Sequence, residues 1–463
     1  MAVKKTTAID PKKRKIFLTV TVLFPFLLLT LLEISLRLFN YGPDLSLFHK
    51  ETINGTEYYS LNPDVGRRYF HQVDFTPDVS PDIFTVSKPS RTYRIFCLGA
   101  STTAGYPYWY NASFSLFLRD RLQAMFPAKH LEVINLGLTA TNSFTVLDIA
   151  RELPQYKPDL FIVYDGHNEF YGAFGAGSRE SLGASRLTAN FYLRMIHLRT
   201  FLLVRNMFSS IVGLFSSSDM PQERGTTMER LARGQYIPYN SDTYASALET
   251  FRENLHDLKE ISTDNHIPMI LVSQVSNLRD LPPFISGELP GSDEQKMQYR
   301  RKFDRGTSLL NERKIDSALA VFQQLLSYDS LRADVHFSIA RCLDLSGKKA
   351  EANTEYIKAR DYDQLRFRTN SEFNSALRNT CDTASVFFLD MEQVFKGSSP
   401  DSLIGTQLIF EHLHPNARGY SLMAKAMART MQDRSLFASA VEWNSIPPVN
   451  EDSLWQVRKV STF

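Results

Sequence analysis

The chain has 463 residues, long enough for two or three units with cores of their own. Its 52 Lys and Arg against 50 Asp and Glu leave a formal charge of +2, so no strong field recruits nucleic acid, and no DNA- or RNA-reading motif is present. Three cysteines, Cys97, Cys342 and Cys381, make no disulfide framework, and no Cys/His cluster has metal-ligand spacing, so neither a metal nor another cofactor is expected.

Lys4, Lys5, Lys12, Lys13, Arg14 and Lys15 make residues 1–15 a basic segment. Residues 16–32 carry no charge; Glu33 interrupts, and the apolar run resumes to Phe39 around Arg37. As one helix, residues 16–39 would span ~36 Å at ~1.5 Å per residue, enough for a bilayer. Pro25 is tolerable inside such a helix. The positive-inside rule predicts a single-pass anchor in the cytoplasmic (inner) membrane, with residues 1–15 cytoplasmic and the large domain periplasmic. The competing reading is a cleaved signal peptide; no small-x-small cleavage site follows the run, which favours a retained anchor.

Residues 40–90, rich in Pro, Asp, Tyr and Phe without sustained periodicity, are predicted to tether the anchor to the domain. Strand-like apolar runs follow at 92–98, 131–136, 160–164 and 268–275, with another at 384–390. Helical spacing appears at 114–126, 144–153, 244–263 and 420–432. Strands alternating with helices predict an α/β class fold, a three-layer α/β/α sandwich on a parallel sheet. Its first part runs over 91–298 with an insertion at 176–230, its second over 367–436, and 437–463 is a C-terminal tail.

Within that insertion, residues 190–215 mix Phe191, Leu193, Leu202, Met207 and Phe208 with Arg194, Arg199 and Arg205. This is too charged for a second span. It fits a helix packed on the domain, or a basic amphipathic element against anionic lipid. Residues 209–227 then turn polar. Residues 299–366 differ again: Gly306 and Ala340, Ala318 and Ala352, and Phe322 and Tyr356 each stand 34 apart. That period resembles two tetratricopeptide repeats, a helical-repeat insertion able to hold a protein partner; an ordinary helical insertion is the alternative.

Four short blocks carry the chemistry. Gly99-Ala100-Ser101 follows the first strand, Asn135-Leu136-Gly137 the second and Gly166-His167-Asn168-Glu169 the third, while Glu411-His412-Leu413-His414-Pro415 precedes the last helix. A serine needs a base to become a nucleophile, and histidine is the usual base near neutral pH. Parallel sheets gather such residues at the carboxyl ends of their strands. The bland readings are that Ser101 caps a helix and that Gly166-His167-Asn168 is a turn.

The four blocks, in this order, resemble those of the SGNH/GDSL hydrolases over roughly residues 91–175 and 242–436. The resemblance implies Ser101 as nucleophile, His414 as base and Glu411 as the orienting acid, where the family has Asp. Alternatives for that acid are a water, a backbone carbonyl, or none. It also implies an oxyanion hole from the Ser101 amide, the Gly137 amide and the Asn168 side chain. His167 and Glu169 are candidate substrate contacts. Arg366 and Arg368, with Asp361 where the helical insertion returns, either bind an anionic substrate group or staple the insertion by ion pairs.

The expected activity is that of a serine esterase or deacylase removing O-acyl groups, acetyl among them, from an envelope glycan or lipid through an acyl-Ser101 intermediate. An O-acyltransferase of an envelope polysaccharide would use the same residues. A non-catalytic scaffold binding a partner through the helical repeats is the reading from a different class.

Overall fold

The computed structural model describes residues 10–70, 76–178, 185–215, 232, 235–382, 384–447 and 449–458. Lys4 and Lys5, the polar stretch from residue 216, and the end of the tail from residue 459 lie outside them. The chain divides into two compact units, one from the described residues up to Leu45 and from Asn190, the other from Ser46–Ala189 and from Gly225 onward.

In the first unit, Pro11–Leu38 is one helix. Asp10 starts it by accepting the Lys12 amide at 3.0 Å, with proline in the first turn where no amide partner is needed. Within Lys12–Leu38 an 18-residue stretch has a mean hydropathy of 2.3, and the helix is long and apolar enough to cross a membrane. A second helix, Arg199–Phe215, belongs to this unit.

The second unit opens with β1 (Phe48–Ile53) and β2 (Thr56–Leu61), a hairpin turning at Asn54-Gly55, both at positive φ. β3 (Ile83–Thr85) pairs antiparallel with β2. The expected tether is therefore structured over this stretch and packed on the domain. Leu47, Phe48, Leu61, Tyr69 and Phe84 are buried, and the Phe84 ring meets Phe96 edge-on at 5.4 Å. The buried Arg68 guanidinium pairs with Asp148 at 3.2 Å and with Glu152, and the Tyr69 hydroxyl donates to Asp148 at 2.9 Å.

The main sheet comprises β4 (Thr92–Gly99), β5 (His130–Asn135), β6 (Leu160–Tyr164), β7 (Met269–Val272) and β8 (Val386–Leu389). All pairings are parallel, in the order β5-β4-β6-β7-β8. Every residue of β6 is buried, as expected of a strand covered on both faces. One face, through Ile95, Cys97, Ile162 and Ile270, packs under helices Phe114–Met125, Met391–Ser398 and Ala417–Asp433. The other side holds helices Ser143–Glu152, Asp242–Asp264 and Ser371–Thr380, so the arrangement is α/β/α. The strand expected over 268–275 stops at Val272, because the Ser273 hydroxyl turns to accept the amides of Met391 and Glu392 at 2.8 and 3.2 Å. From β4 the chain winds to β5 on one side and then to β6 on the other, which opens a crevice at the carboxyl ends.

Four helices, Asp293–Asn311, Ile315–Leu325, Ala333–Leu345 and Lys349–Asp361, pack in sequence as neighbours. They begin ahead of the expected residue 299, because Ser292 and Gln295 form a reciprocal cap. Ala318, Phe322, Ala340, Ala352 and Tyr356 share one core with Leu278 and Leu403, so the insertion leans on the α/β domain. The expected tail is also packed: Trp443 is buried with its ring 4.7 Å from Phe126, and Arg121 pairs with Glu451 at 2.6 Å.

Candidate active site

Ser101 starts a short helical turn, Ser101–Ala104, directly beyond β4. Gly99 has φ 151°, and a Cβ there would stand 2.0 Å from the Tyr164 carbonyl oxygen, so only glycine lets the chain leave β4 this close to β6. The loop carrying His414 is tight: the Phe410 amide donates to the His414 carbonyl at 2.7 Å. Asn277, beyond β7, holds it by donating its amide to the His412 carbonyl at 2.9 Å and its side chain to the Glu411 carbonyl at 3.1 Å.

The structure brings Ser101, His414 and Glu411 together. His414 Nε2 lies 2.7 Å from Ser101 Oγ, and Nδ1 lies 2.5 Å from Glu411 Oε1. Glu411 Oε1 also accepts the His414 amide at 2.7 Å, and its other carboxylate oxygen touches His412 Nδ1. A carboxylate beside Nδ1 fixes the proton there, so Nε2 presents its lone pair to the serine hydroxyl. Burial lowers the His414 pKa, and the adjacent carboxylate pulls the other way; the neutral, proton-accepting imidazole prevails at neutral pH. The Tyr106 ring stands 4.6 Å from the His414 ring, and Phe284 and Phe367 stand 5.6 and 5.9 Å from His412.

Of the three expected oxyanion donors, the Gly137 amide is turned to another partner. The Gly137 amide donates to Asn135 Oδ1 at 2.9 Å, so it is already engaged. A Cβ at Gly137 would lie 2.3 Å from the Ala104 nitrogen; this glycine lets the loop after β5 close on the Ser101 turn. Asn135 Nδ2 donates to the Thr103 carbonyl at 2.6 Å and to Ser115 Oγ at 3.0 Å. Asn168 Nδ2 gives one hydrogen to the Thr141 carbonyl at 2.9 Å and keeps a second.

The four candidate substrate contacts are engaged internally. His167 Nδ1 accepts from Thr369 N and Oγ1 at 3.2 and 2.9 Å, which places its proton on Nε2. Burial, with His414 nearby, lowers its pKa to about 3. Glu169 accepts the Ser143 amide and hydroxyl at 3.0 and 2.7 Å and faces Asp165; burial raises both carboxyls. Arg366 donates to the Ile237 carbonyl at 2.8 Å and to the Asp361 carbonyl. Arg368 pairs with Asp363 at 3.0 Å and donates to the Asn277 carbonyl at 3.0 Å, so these two arginines staple chain segments together.

Sequence reasoning missed Asn277 and Tyr106, and gave Asn135, though part of the second block, no role. Asn277 and Asn135 had a readable signal, an amide side chain at the end of an apolar run. As for a cation site, the exposed His256 and Glu260 and the half-buried Asp257 bring donor atoms within 4.8 Å of one another. Asp257 there already holds Arg186 at 2.6 Å and Arg151 at 3.3 Å.

No protein-family model matches the chain, and comparison with curated protein sequences gives no match. Among solved structures, it is similar to a lipase/acylhydrolase from Enterococcus faecalis, at 14% identity over 77% of this chain and 99% of that one, with a TM-score of 0.30. It is also similar to a GDSL-like lipase from Bacteroides thetaiotaomicron, at 12% identity over 75% and 92%, with a TM-score of 0.29.

Proposed function

We propose that this chain is a membrane-anchored serine esterase or deacylase of the SGNH type, acting on O-acyl groups, acetyl among them, of an envelope glycan or lipid. The observation that carries the reading is the contact chain from Ser101 Oγ to His414 Nε2 at 2.7 Å and from His414 Nδ1 to Glu411 Oε1 at 2.5 Å. In the first step His414 Nε2 takes the Ser101 proton as Oγ attacks the ester carbonyl carbon. The carbonyl oxygen becomes the oxyanion, met by the Ser101 amide and the free Asn168 hydrogen. Its collapse forms acyl-Ser101 and expels the alkoxide, which leaves with the proton from His414. Water then attacks the acyl-enzyme with His414 again as base, releasing the carboxylic acid. Glu411 stabilises the imidazolium of each step.

In this reading residues 16–39 are the span, the basic residues of 1–15 stay cytoplasmic, and the catalytic unit is periplasmic. The helices between 293 and 361 are two tetratricopeptide-like hairpins. The test is labelling of the full chain with a fluorophosphonate probe. The wild type is expected to react and Ser101→Ala to stay unlabelled. An unlabelled wild type, or equal labelling of the variant, overturns the reading.

A further inference from the structure

In the first unit, the carboxyl end of the apolar helix Pro11–Leu38 grips a second helix. Glu33, the one acidic residue of that apolar stretch, accepts the amides of Arg199 and Thr200 at 3.1 and 2.8 Å, in the first turn of Arg199–Phe215. Arg37 donates to the His197 carbonyl at 3.0 Å, Arg199 to the Pro43 carbonyl, and Asn206 Nδ2 to the Tyr41 hydroxyl at 3.3 Å. One face of the second helix is covered: Leu202 is buried, the Phe201 ring lies 5.7 Å from Tyr192, and Arg205 donates to the Tyr192 hydroxyl at 3.1 Å.

Val204, Met207, Phe208 and Ile211 form a stripe at i, i+3, i+4 and i+7, and they are 64%, 56%, 68% and 51% exposed. Phe191, 61% exposed, adds to the apolar surface of this unit. Residue 33 lies only ~7.5 Å before the end of the helix at residue 38, at ~1.5 Å per residue, and an in-plane amphipathic helix sits roughly 5–10 Å into the headgroup boundary. The two depths agree.

We propose that the helix Arg199–Phe215 lies along the outer surface of the membrane that Lys12–Leu38 crosses, with Val204, Met207, Phe208 and Ile211 among phospholipid acyl chains. The inference rests on reading Lys12–Leu38 as a span. A bilayer then already surrounds Glu33, which holds the first turn of this helix by two hydrogen bonds, so the stripe continues an apolar surface that lipid covers. Arg205, on the covered face, leaves no charge in the stripe.

The test uses the full chain in vesicles of phosphatidylcholine and phosphatidylglycerol. An environment-sensitive fluorophore is attached to single cysteines, Val204→Cys, Met207→Cys, Phe208→Cys and Ile211→Cys, in a Cys381→Ser background. Leu27→Cys reports the span, and Lys302→Cys, on the helix Asp293–Asn311 of the second unit, reports water. Lipids carrying a nitroxide at a shallow or a deep acyl carbon are the quenchers. The stripe labels are expected to be quenched more by the shallow than the deep nitroxide, Leu27→Cys more by the deep one, and Lys302→Cys by neither. Stripe labels as unquenched as Lys302→Cys, beside a quenched Leu27→Cys, overturn the inference and leave the span standing. Blue-shifted stripe labels that no lipid quenches mean that protein covers the stripe, which also overturns it. An unquenched Leu27→Cys overturns the span and this inference together, while the fluorophosphonate reaction at Ser101 remains a separate readout of the enzymatic reading. Four positions read independently guard against any one variant misfolding.

Discussion

Glu411 closes a ring on its own loop: Oε1 accepts both the amide and the Nδ1 hydrogen of His414, at 2.7 and 2.5 Å. The extra methylene of glutamate, relative to aspartate, is absorbed by this local fold-back. The carboxylate thereby fixes which imidazole nitrogen carries the proton. In Glu411→Gln the carboxamide offers a hydrogen where the imidazole needs an acceptor, so the working tautomer is lost. Ester hydrolysis is expected to fall by about 10²- to 10⁴-fold in kcat with a smaller change in KM, while the fold stays intact. Steady-state kinetics on a short-chain aryl ester, with circular dichroism of the variant, check it.

Two buried imidazoles, His167 and His414, and the half-buried His412 set the response to acid. Burial lowers the pKa of His167, to about 3, and also those of His412 and His414. Below the unfolded value of about 6.5 the unfolded chain therefore binds protons that the folded chain refuses. Their contribution to stability is full above about 6.5 and drains away as pH falls toward the folded values. The melting temperature of the wild type should drop between neutral pH and about pH 5, and His167→Asn should drop less. For the same reason the acid limb of kcat/KM should lie below the ordinary histidine range. A limb centred at or above that range would show that His414 is not the base held in this state.

Much of this site was legible because chemistry restricts the residue types: a nucleophile and base have few alternatives, and buried parallel strands must be apolar runs. The 48–85 region was not legible, since β1 reads Phe-His-Lys-Glu-Thr-Ile and points most of its residues to solvent. The partners of its anchor, Arg68, come from a helix about eighty positions later, and no local pattern announces a buried ion pair. Gly137 is visible in the sequence as a glycine near the site, with its amide expected in the oxyanion hole. The contact that requires glycine is with the Ala104 backbone, a tertiary fact.

Asn135 is a positioning residue that ties three segments by single hydrogen bonds, to Gly137 N, the Thr103 carbonyl and Ser115 Oγ. Asn135→Ala removes this partner from the Gly137 amide and the Thr103 carbonyl, at about 1–3 kcal/mol for each one that water cannot reach, while Ser115 Oγ keeps the Ser113 hydroxyl at 2.8 Å. It should loosen the Ser101 turn and lower kcat more than it raises KM. A stability loss with kcat unchanged would assign Asn135 to the core alone.

Asp165 and Glu169 form a buried pair, and neither Asp165 oxygen has an ordinary hydrogen-bond donor. Burial and the like charge of Glu169 push Asp165 well above the carboxylate range, and Glu169 is raised as well. A proton on Asp165 shared with Glu169 accounts for the missing donor. A raised folded pKa contributes stability that is full below the unfolded value of about 4 and is lost as pH rises through the folded value. Asp165→Asn supplies a permanent donor of the same shape. Between about pH 6 and pH 9 the wild type should therefore lose more melting temperature than Asp165→Asn does. Parallel curves would mean that the pair is ionised in the folded state.

Arg68 is fully buried, yet its two acidic partners, Asp148 and Glu152, lie on a helix of the α/β domain. Removing it leaves the Asp148 carboxylate in the interior without its cation, still accepting from the Tyr69 hydroxyl at 2.9 Å. Breaking one side of a buried pair typically costs about 3–5 kcal/mol, far more than an exposed one. Arg68→Ala should therefore lower the urea midpoint sharply and expose the 48–85 region to proteases first, because that region is held by this pair and the aromatic cluster around Phe84. Arg68→Met, which fills the space without the charge, still strands the acids and should recover only part of the loss. Replacing all three together, as Arg68→Met with Asp148→Asn and Glu152→Gln, removes the stranded charge. Stability should then return toward the wild type, which separates the penalty for unpaired carboxylates from any loss of packing.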